Sequence, residues 1–140
     1  MSRSAAAIVT DMLQGVVKEG TAKKALALKR PIAGKTGTTN EYKDALFIGF
    51  SPSIAAGVWV GKDNFTTLGE KETGSKAALP IWIQFMREAL QERPNEYFDI
   101  PDDIVQIHIH PSTGMLEPDT SPSGVKALFE KGTEFRQQNE

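Results

Sequence analysis

The chain has 140 residues and a formal net charge of -2, with 39% apolar residues, 24% charged residues and no cysteine. This length suits one ordinary domain with a hydrophobic core, and the charge provides no basic excess for binding nucleic acid. The lack of cysteine excludes disulfide bonds, zinc–thiolate sites and a thiol nucleophile, and no apolar run approaches the roughly 20 residues of a membrane-spanning helix.

The first predicted element is an amphipathic helix over Ser4 to Glu19. Its apolar residues recur at helical spacing and form one stripe, which consists of Ile8, Val9, Met12, Leu13, Val16 and Val17. Lys18 suits the negative end of the helix dipole, and Gly20 is a natural stop just past it. The basic stretch from Lys23 to Arg30 is interpreted as a solvated loop.

Two apolar runs in the next part of the chain predict strands of an antiparallel sheet. They are Ala45 to Phe50 and Ile54 to Gly61, which are rich in Ile, Val, Phe and Trp and flank a short turn, Ser51-Pro52-Ser53. This pattern is typical of a β-hairpin. Upstream, Ile32 to Thr39 is a candidate third strand of the same sheet.

A second helix is predicted over Ala77 to Leu90, after a polar loop. Ser75 is placed to cap this helix, and Pro80 is acceptable there only in the first helical turn. A wide apolar face must pack against a large partner surface, and it comprises Trp82, Ile83, Phe85, Met86, Ala89 and Leu90.

The character of the chain changes after Pro101. Ile104 to His110 alternates between apolar and polar residues in its second half, as in a half-exposed strand. From Glu117 onward Pro, Ser, Gly and charged residues predominate, which predicts a loose tail. We therefore divide the chain into a first part, residues 1–98, and a C-terminal extension with its tail, residues 99–140.

The tripeptide Lys35-Thr36-Gly37 lies on the candidate third strand, just before the hairpin. Gly37 lets an extended peptide approach the backbone and add to the sheet. Lys35 offers a compact positive charge for a carboxylate, Thr36 and Thr38 offer hydroxyl donors, and a free N–H beside Gly37 can serve an oxyanion hole. A purely structural role is the alternative, since an edge-strand lysine also guards a sheet against aggregation.

A longer run around this tripeptide closely resembles the class A (bifunctional) penicillin-binding proteins. The matching segments are Ile32 to Ala45, Phe47 to Phe50, Gly57 to Gly61, Asp63-Asn64 and the helix from Ala77 to Met86. The Lys-Thr-Gly motif is itself a mark of these proteins. Ile104 to Leu116 resembles, more loosely, the C-terminal extension of the same group.

The resemblance implies an α+β chain with a partial penicillin-recognising fold, in which an antiparallel sheet carries flanking helices. It implies a serine acyltransferase outside the cytoplasmic membrane, without cofactor or metal. The serine attacks the penultimate D-alanine carbonyl of a peptidoglycan stem peptide, expels the last D-alanine and passes the acyl group to a neighbouring stem; β-lactams imitate the D-Ala-D-Ala end. By the family pattern Lys35, Thr36 and Thr38 hold the substrate carboxylate around Gly37, and the Thr38 N–H completes the oxyanion hole.

Departures from the family pattern predict that the chain is a fragment. The family places a Ser-x-x-Lys and a Ser-x-Asn motif before its Lys-Thr-Gly, and neither occurs before Lys35. The only Ser-x-x-Lys, Ser123 to Lys126, lies in the Pro/Gly-rich tail and is interpreted as coincidence, because the family motif opens a buried helix. The glycosyltransferase domain and membrane anchor are absent too. We expect residues 1–98 to be the C-terminal part of a transpeptidase domain, without its catalytic nucleophile.

Three other interpretations remain open at this point. The chain is alternatively a non-catalytic module that binds wall peptides or a protein partner. An incomplete sheet would leave an unpaired strand edge and apolar surface, which predicts self-association. His108 and His110 share one strand face, a pattern that can bind a metal, but no third ligand lies nearby in the sequence, so solvent-facing positions are favoured.

Overall fold

The computed structural model describes residues 1–134, which form two compact units. One unit comprises residues 12–98, and the other combines residues 1–11 with the chain from Asp99 onward. The first helix, α1 (Arg3–Lys18), contributes residues to both units, and it confirms the predicted helix to within one residue at each end. The assignment of residues 1–98 and 99–140 to separate functional parts stays a prediction.

The chain leaves the end of α1 by a close backbone approach at Gly20. A Cβ atom on this residue would lie 2.9 Å from both the Cα and the carbonyl oxygen of Val16. The Ala22 N–H then donates to that Val16 oxygen at 3.1 Å. Gly20 is therefore required because its neighbour is backbone, which cannot move aside as a flexible side chain would.

The solvated loop predicted from Lys23 to Arg30 is wrong, because Lys23–Leu28 form a 3-10 helix. Ala22 and Ala25 are fully buried in the core of this unit. Their spacing of three residues matches the 3-10 repeat, so the lysines between them project into solvent. Arg30 is also engaged, since its guanidinium donates to the carbonyl oxygens of Leu90, Arg93 and Pro94 at 3.0, 2.9 and 2.7 Å.

The predicted antiparallel sheet is confirmed, with strands β1 (Ala33–Thr38), β2 (Asp44–Phe50) and β3 (Ala55–Gly61) in the order β1-β2-β3. Gly37 of β1 lies opposite Leu46 of β2, which lies opposite Trp59 of β3. The β2–β3 turn is closed by the Ser51 N–H, which donates to Ile54 O at 2.8 Å. Because β2 is the central strand, β1 and β3 are the two edges of this sheet.

The core of residues 12–98 lies between one face of the sheet and the second helix, α2 (Leu79–Ala89). Trp82 is fully buried, and its ring meets that of Phe47 edge-to-face, with centroids 4.9 Å apart. Its indole N–H donates to Ala56 O at 3.0 Å. A Cβ atom on Gly49 would lie 2.8 Å from the Trp82 ring, so this glycine makes room for the helix on the sheet.

A single turn of π-helix, Gly74–Ala78, leads into α2. The predicted helix over Ala77 to Leu90 is confirmed, with Pro80 in its first turn. The predicted Ser75 cap is wrong, because no side chain caps either segment. The Ser75 hydroxyl instead shares a hydrogen bond of 2.8 Å with the Thr73 hydroxyl, and the N–H of Leu79, the first residue of α2, donates to Gly74 O in the π turn.

The other unit contains a two-stranded antiparallel sheet, β4 (Ile104–Ile109) with β5 (Val125–Glu130). β4 confirms the predicted strand. β5 contradicts the loose tail predicted from Glu117, because Leu128 is buried with Ile104 and Ala7, and the Pro, Ser and Gly residues before β5 form the connection between the two strands. Residues 135–140 of the predicted tail lie outside the described residues.

Candidate functional site

The residues Lys35 to Thr38 end strand β1 at an edge of the three-stranded sheet. No strand of residues 1–134 lies on the second side of β1. The Thr39 N–H donates to Asp44 O at 3.1 Å, which fixes the alternation of the antiparallel ladder. The N–H groups of Thr36 and Thr38 therefore point to the free edge, whereas that of Gly37 faces β2. Two outward backbone donors are thus available at this edge, the arrangement by which a sheet edge can take up an extended peptide.

Lys35 brings its amine to the same edge. Strand alternation places its side chain on the sheet face opposite those of Thr36 and Thr38. Its Nζ donates to Thr36 O at 2.8 Å, and that carbonyl also points to the free edge of the ladder. The structure therefore brings the cation together with the two backbone donors, although the Lys35 side chain leaves from the other face.

The two threonine hydroxyls of this edge have partners that the sequence analysis did not identify. The Thr36 hydroxyl lies 2.8 Å from the Thr21 hydroxyl, and either oxygen can be the donor. The Thr38 hydroxyl oxygen accepts a hydrogen bond from the Gly74 N–H at 3.1 Å. In the sequence, Gly74 is a glycine between polar residues just before a predicted helix. No pattern in the sequence relates it to Thr38.

Gly74 packs directly on the backbone of the β1–β2 pair. A Cβ atom on Gly74 would lie 2.4 Å from Leu46 O and 2.6 Å from Gly37 O. Real Cβ atoms do not approach backbone oxygens this closely, so any other residue would displace the π turn from the strands. Gly74 is buried, and its small size fixes the distance between the π turn and Thr38.

Asp44 anchors the connection that follows β1. Its carboxylate accepts hydrogen bonds from the Thr39 hydroxyl at 3.3 Å and from the Trp59 indole N–H at 3.1 Å. In return, the Asp44 N–H donates to the Thr39 hydroxyl oxygen at 2.8 Å. Asp44 acts here as a structural acceptor that holds the residue next to Thr38.

Left-handed backbone conformations are concentrated in two connections near the end of β1. Glu41 and Tyr42 have φ values of 62° and 54° in the β1–β2 connection, and Phe65 and Lys71 have 53° and 62° in the segment after β3. The two connections are joined where the Leu68 N–H donates to Tyr42 O at 2.9 Å. Non-glycine residues in this region carry strain that surrounding contacts must offset, so these contacts hold the backbone beyond Thr38 in place.

An ion pair lies in the same connection. The Lys43 ammonium is 2.6 Å from the Glu41 carboxylate. Its hydrogen bond and, after that, its Coulomb attraction lower the pKa of Glu41 below the ordinary value. The negative charge of Glu41, in the connection that follows β1, is therefore paired with a positive one.

The weaker candidates of the sequence occupy other positions. The His108 Nδ1 lies 2.6 Å from an Asp119 carboxylate oxygen, and the His110 Nδ1 lies 3.0 Å from the Ser112 hydroxyl. No group of three potential metal ligands occurs in residues 1–134. The Ser123 hydroxyl donates to Glu117 at 3.2 Å in the turn before β5, so Ser123 does not open a helix. Within the described part of the chain, no helix has the length and apolar character to cross a membrane.

The sequence matches known proteins over most of its length. Residues 1–87 match the model of the family described as penicillin binding protein transpeptidase domain. The chain is 47% identical over 127 residues to penicillin-binding protein 1A of Aquifex aeolicus, which covers 91% of this chain and 17% of that protein. It is 46% identical over 123 residues to penicillin-binding protein 1A of Pseudomonas aeruginosa, covering 87% of this chain and 15% of that protein.

The fold matches a solved structure as well. The 2.6 Å crystal structure of penicillin-binding protein 1A from Haemophilus influenzae has a TM-score of 0.85 and 34% sequence identity, over 96% of this chain and 21% of that one. This match confirms the predicted α+β class and the partial fold. The chain spans about a sixth of the length of the two relatives named above.

Proposed function

This chain belongs to the penicillin-binding protein transpeptidase domain family, and we propose that it forms the carboxylate-binding wall of a D-Ala-D-Ala transpeptidase active site. The observation that carries this proposal is the free edge of β1, where a lysine amine and two outward N–H groups meet. The ligand in this proposal is the stem peptide of peptidoglycan, or a β-lactam that imitates its end. The reaction is the crosslinking step of cell-wall synthesis.

Each residue of the edge has a distinct role in this proposal. The Lys35 ammonium and the hydroxyls of Thr36 and Thr38 bind the terminal carboxylate, which is an acceptor-only group. Gly37 keeps the edge open for the extended peptide. The outward Thr38 N–H donates to the oxygen that becomes negative when the carbonyl is attacked, a contact worth about 2.7–4 kcal/mol to such reactions.

The nucleophile of the proposed reaction lies outside these 140 residues. No Ser-x-x-Lys precedes Lys35 in the sequence, and Ser123 belongs to a turn. The short share of the relatives that this chain spans is consistent with a serine located elsewhere in a longer protein. We therefore expect the 140-residue chain by itself to form no stable acyl-enzyme, and mass spectrometry after incubation with penicillin tests this. A stoichiometric adduct on any serine, Ser123 included, would contradict it.

A chimaera tests the function itself. We define the transplant as the Aquifex aeolicus relative in which this chain replaces the matching segment, so that the host supplies a complete protein. The proposal predicts that the transplant is labelled covalently by a fluorescent penicillin. Lys35→Ala should slow labelling by about ten- to a hundredfold, since the lost contact is a hydrogen bond to a charged group.

The matched control is Lys24→Ala, which removes an exposed lysine that lies beside Ile83 and Arg87 of α2. Labelling of this variant should match that of the unmodified transplant. Equal labelling of the Lys35→Ala variant would show that Lys35 only guards the edge. A transplant that folds but is not labelled would favour the alternative of a non-catalytic module for wall peptides or a protein partner.

Location and self-association complete the proposal. A transpeptidase of this family acts on the outer side of the cytoplasmic membrane, so we place this wall there. The edge of β3 has no partner strand in residues 1–134, and Trp59 and Ile48 are 58% and 54% exposed on the neighbouring sheet face. An unpaired edge beside apolar surface is a template for another chain, so we propose that the isolated chain associates with itself there.

A further inference from the structure

Within the described chain, the Thr38 hydroxyl accepts a hydrogen bond but donates none. A hydroxyl has one hydrogen to donate and two lone pairs to accept with. The Gly74 N–H, 3.1 Å away, occupies the oxygen as an acceptor. Within the described chain no group accepts from this hydroxyl, and Thr38 is exposed. The O–H hydrogen is therefore left to point away from Gly74, toward an acceptor that comes from outside the chain.

The Thr36 hydroxyl, two residues earlier on the same face, is arranged differently. Its partner is another hydroxyl, that of Thr21, and either one can donate to the other. The direction of the Thr36 hydrogen is thus not fixed by its neighbour. A backbone N–H, in contrast, can only donate, so the Thr38 oxygen is the acceptor in the Gly74 contact and its hydrogen cannot be used there.

The reach of the Gly74 N–H depends on the missing side chain. With a Cβ atom 2.4 Å from Leu46 O and 2.6 Å from Gly37 O, residue 74 would be pushed off the strands. The N–H would move with it, away from the Thr38 hydroxyl. The π-helical turn that begins at Gly74 also fits this role, because such turns occur frequently at functional sites.

We propose that Gly74 is a positioning residue, whose N–H holds the Thr38 hydroxyl as a hydrogen-bond donor to the carboxylate of the bound peptide. The inference rests on the proposed function, since it takes the β1 edge as the place where the carboxylate binds. Gly74 itself touches no substrate. Its effect on binding passes through Thr38 alone.

The hydrogen bond is tested first, in the full 140-residue chain, by amide hydrogen exchange at Gly74. Thr38→Val removes the hydroxyl and keeps the side-chain shape, so protection of the Gly74 amide should fall about tenfold, as expected for one hydrogen bond. Thr38→Ser keeps the hydroxyl and should preserve the protection. Thr36→Val is the matched control on the same face and should also preserve it. Unchanged exchange in the Thr38→Val chain would overturn the proposal.

The functional consequence is tested in the transplant by the second-order rate constant of acylation by benzylpenicillin. Thr38→Val and Gly74→Ala should each slow acylation by about ten- to a hundredfold. The double variant should be no slower than the slower single variant, because both changes remove the same contact. A purely structural effect of Gly74→Ala would instead multiply with that of Thr38→Val. Gly57→Ala, where the nearest atom to the new Cβ is 3.5 Å away, is the matched glycine control and should retain the original rate.

The outcomes separate the two proposals. If acylation is insensitive to both Lys35→Ala and Thr38→Val, the proposed carboxylate wall is wrong. If only Thr38→Val has no effect, or if the effect of Gly74→Ala multiplies with that of Thr38→Val, the wall stands and the role of Gly74 is wrong. If the Gly74→Ala transplant does not fold, amide exchange at Gly74 and the acylation rate of the Thr38→Val transplant still test the hydrogen bond and the role of the hydroxyl, because neither needs a substitution at Gly74.

Discussion

The two edges of the three-stranded sheet present similar backbone groups but different surroundings. At the β1 edge the N–H groups of Thr36 and Thr38 point outward, and at the β3 edge those of Gly57 and Trp59 do so by the same alternation. The β1 edge carries an amine, two hydroxyls and a buried glycine turn behind it. The β3 strand, Ala55–Gly61, contains no charged residue.

Under the proposed function, this difference means that a free strand edge needs side chains around it, as well as outward N–H groups, to bind a carboxylate. The N–H groups of β3 are available, but no cation or hydroxyl of that strand accompanies them to bind a carboxylate. At β1, the turn beginning at Gly74 fixes one hydroxyl and Asp44 fixes the following residue. In the proposed function, the peptide ligand therefore binds at the β1 edge, and other protein segments contact the β3 edge.

Removing one outward N–H from each edge should have the largest and most unequal effect. Proline lacks the N–H, and at Thr38 or Gly57 it removes an outward donor without removing a ladder bond. In the transplant, Thr38→Pro also removes the Thr38 hydroxyl, so it should slow acylation by about a hundred- to a thousandfold beyond Thr38→Val, the usual loss for one oxyanion-hole donor. Gly57→Pro should leave the rate near its original value.

Thermal melts of both proline variants serve as the folding control for this comparison. Similar melting temperatures with unequal acylation rates are the expected result. Equal losses of rate at the two edges would contradict the assignment of the ligand to β1.

Charging the β3 edge should have a smaller effect, and on association rather than on acylation. A Cβ atom on Gly57 is in ordinary van der Waals contact, with its nearest neighbour 3.5 Å away, and Gly57 is exposed, so Gly57→Lys can place a charge beside the edge. An edge lysine opposes pairing with another chain, and we expect the dissociation constant of self-association to rise about tenfold, or about 1.4 kcal/mol.

Light scattering over a concentration series measures this change in the 140-residue chain. Lys35→Ala is the control at the opposite edge and should not weaken association. A monomeric original chain at high micromolar concentration, with a cooperative melt, would show that the β3 edge does not associate.

The smallest expected effect concerns the ion pair beside β1. Lys43→Met removes the hydrogen bond and the charge that lower the pKa of Glu41, so the pKa should rise toward its ordinary value. Because the folded-state pKa is lowered, the associated stability is present above the ordinary pKa and is lost as the pH falls through the lowered one. An NMR titration of the Glu41 carboxyl group measures the shift, and Lys62→Met is the control from the β3 side. Identical titration of Glu41 in the original and Lys43→Met chains would show that Lys43 does not lower the pKa of Glu41.

Much of the fold could be predicted from the sequence because its signals are local. Helical spacing of apolar residues located α1, and the apolar runs around Ser51-Pro52-Ser53 located β2 and β3. The class of the fold followed from these elements together with the family resemblance. The strand β5 was missed because its burial depends on Ile104 and Ala7, which are distant in the sequence.

Only part of the candidate site could be predicted from the sequence, because some of its contacts also join residues that are distant in the chain. Lys35 to Thr38 form a continuous motif, so their common edge could be predicted. Thr21 and Gly74 reach that edge through the fold, and no local pattern relates residue 74 to residue 38. Arg30 was misjudged likewise, because its carbonyl partners lie about 60 residues further along the chain.

A crystal structure of the transplant acylated by benzylpenicillin would show where the carboxylate binds relative to the β1 edge. We expect the penicillin carboxylate to lie within hydrogen-bonding distance of the Thr38 hydroxyl and the Lys35 amine. We also expect the carbonyl oxygen of the acyl group to accept a hydrogen bond from the Thr38 N–H. An acylated structure in which the carboxylate contacts none of the residues from Lys35 to Thr38 would contradict the claim that the β1 edge of this chain is the carboxylate-binding wall.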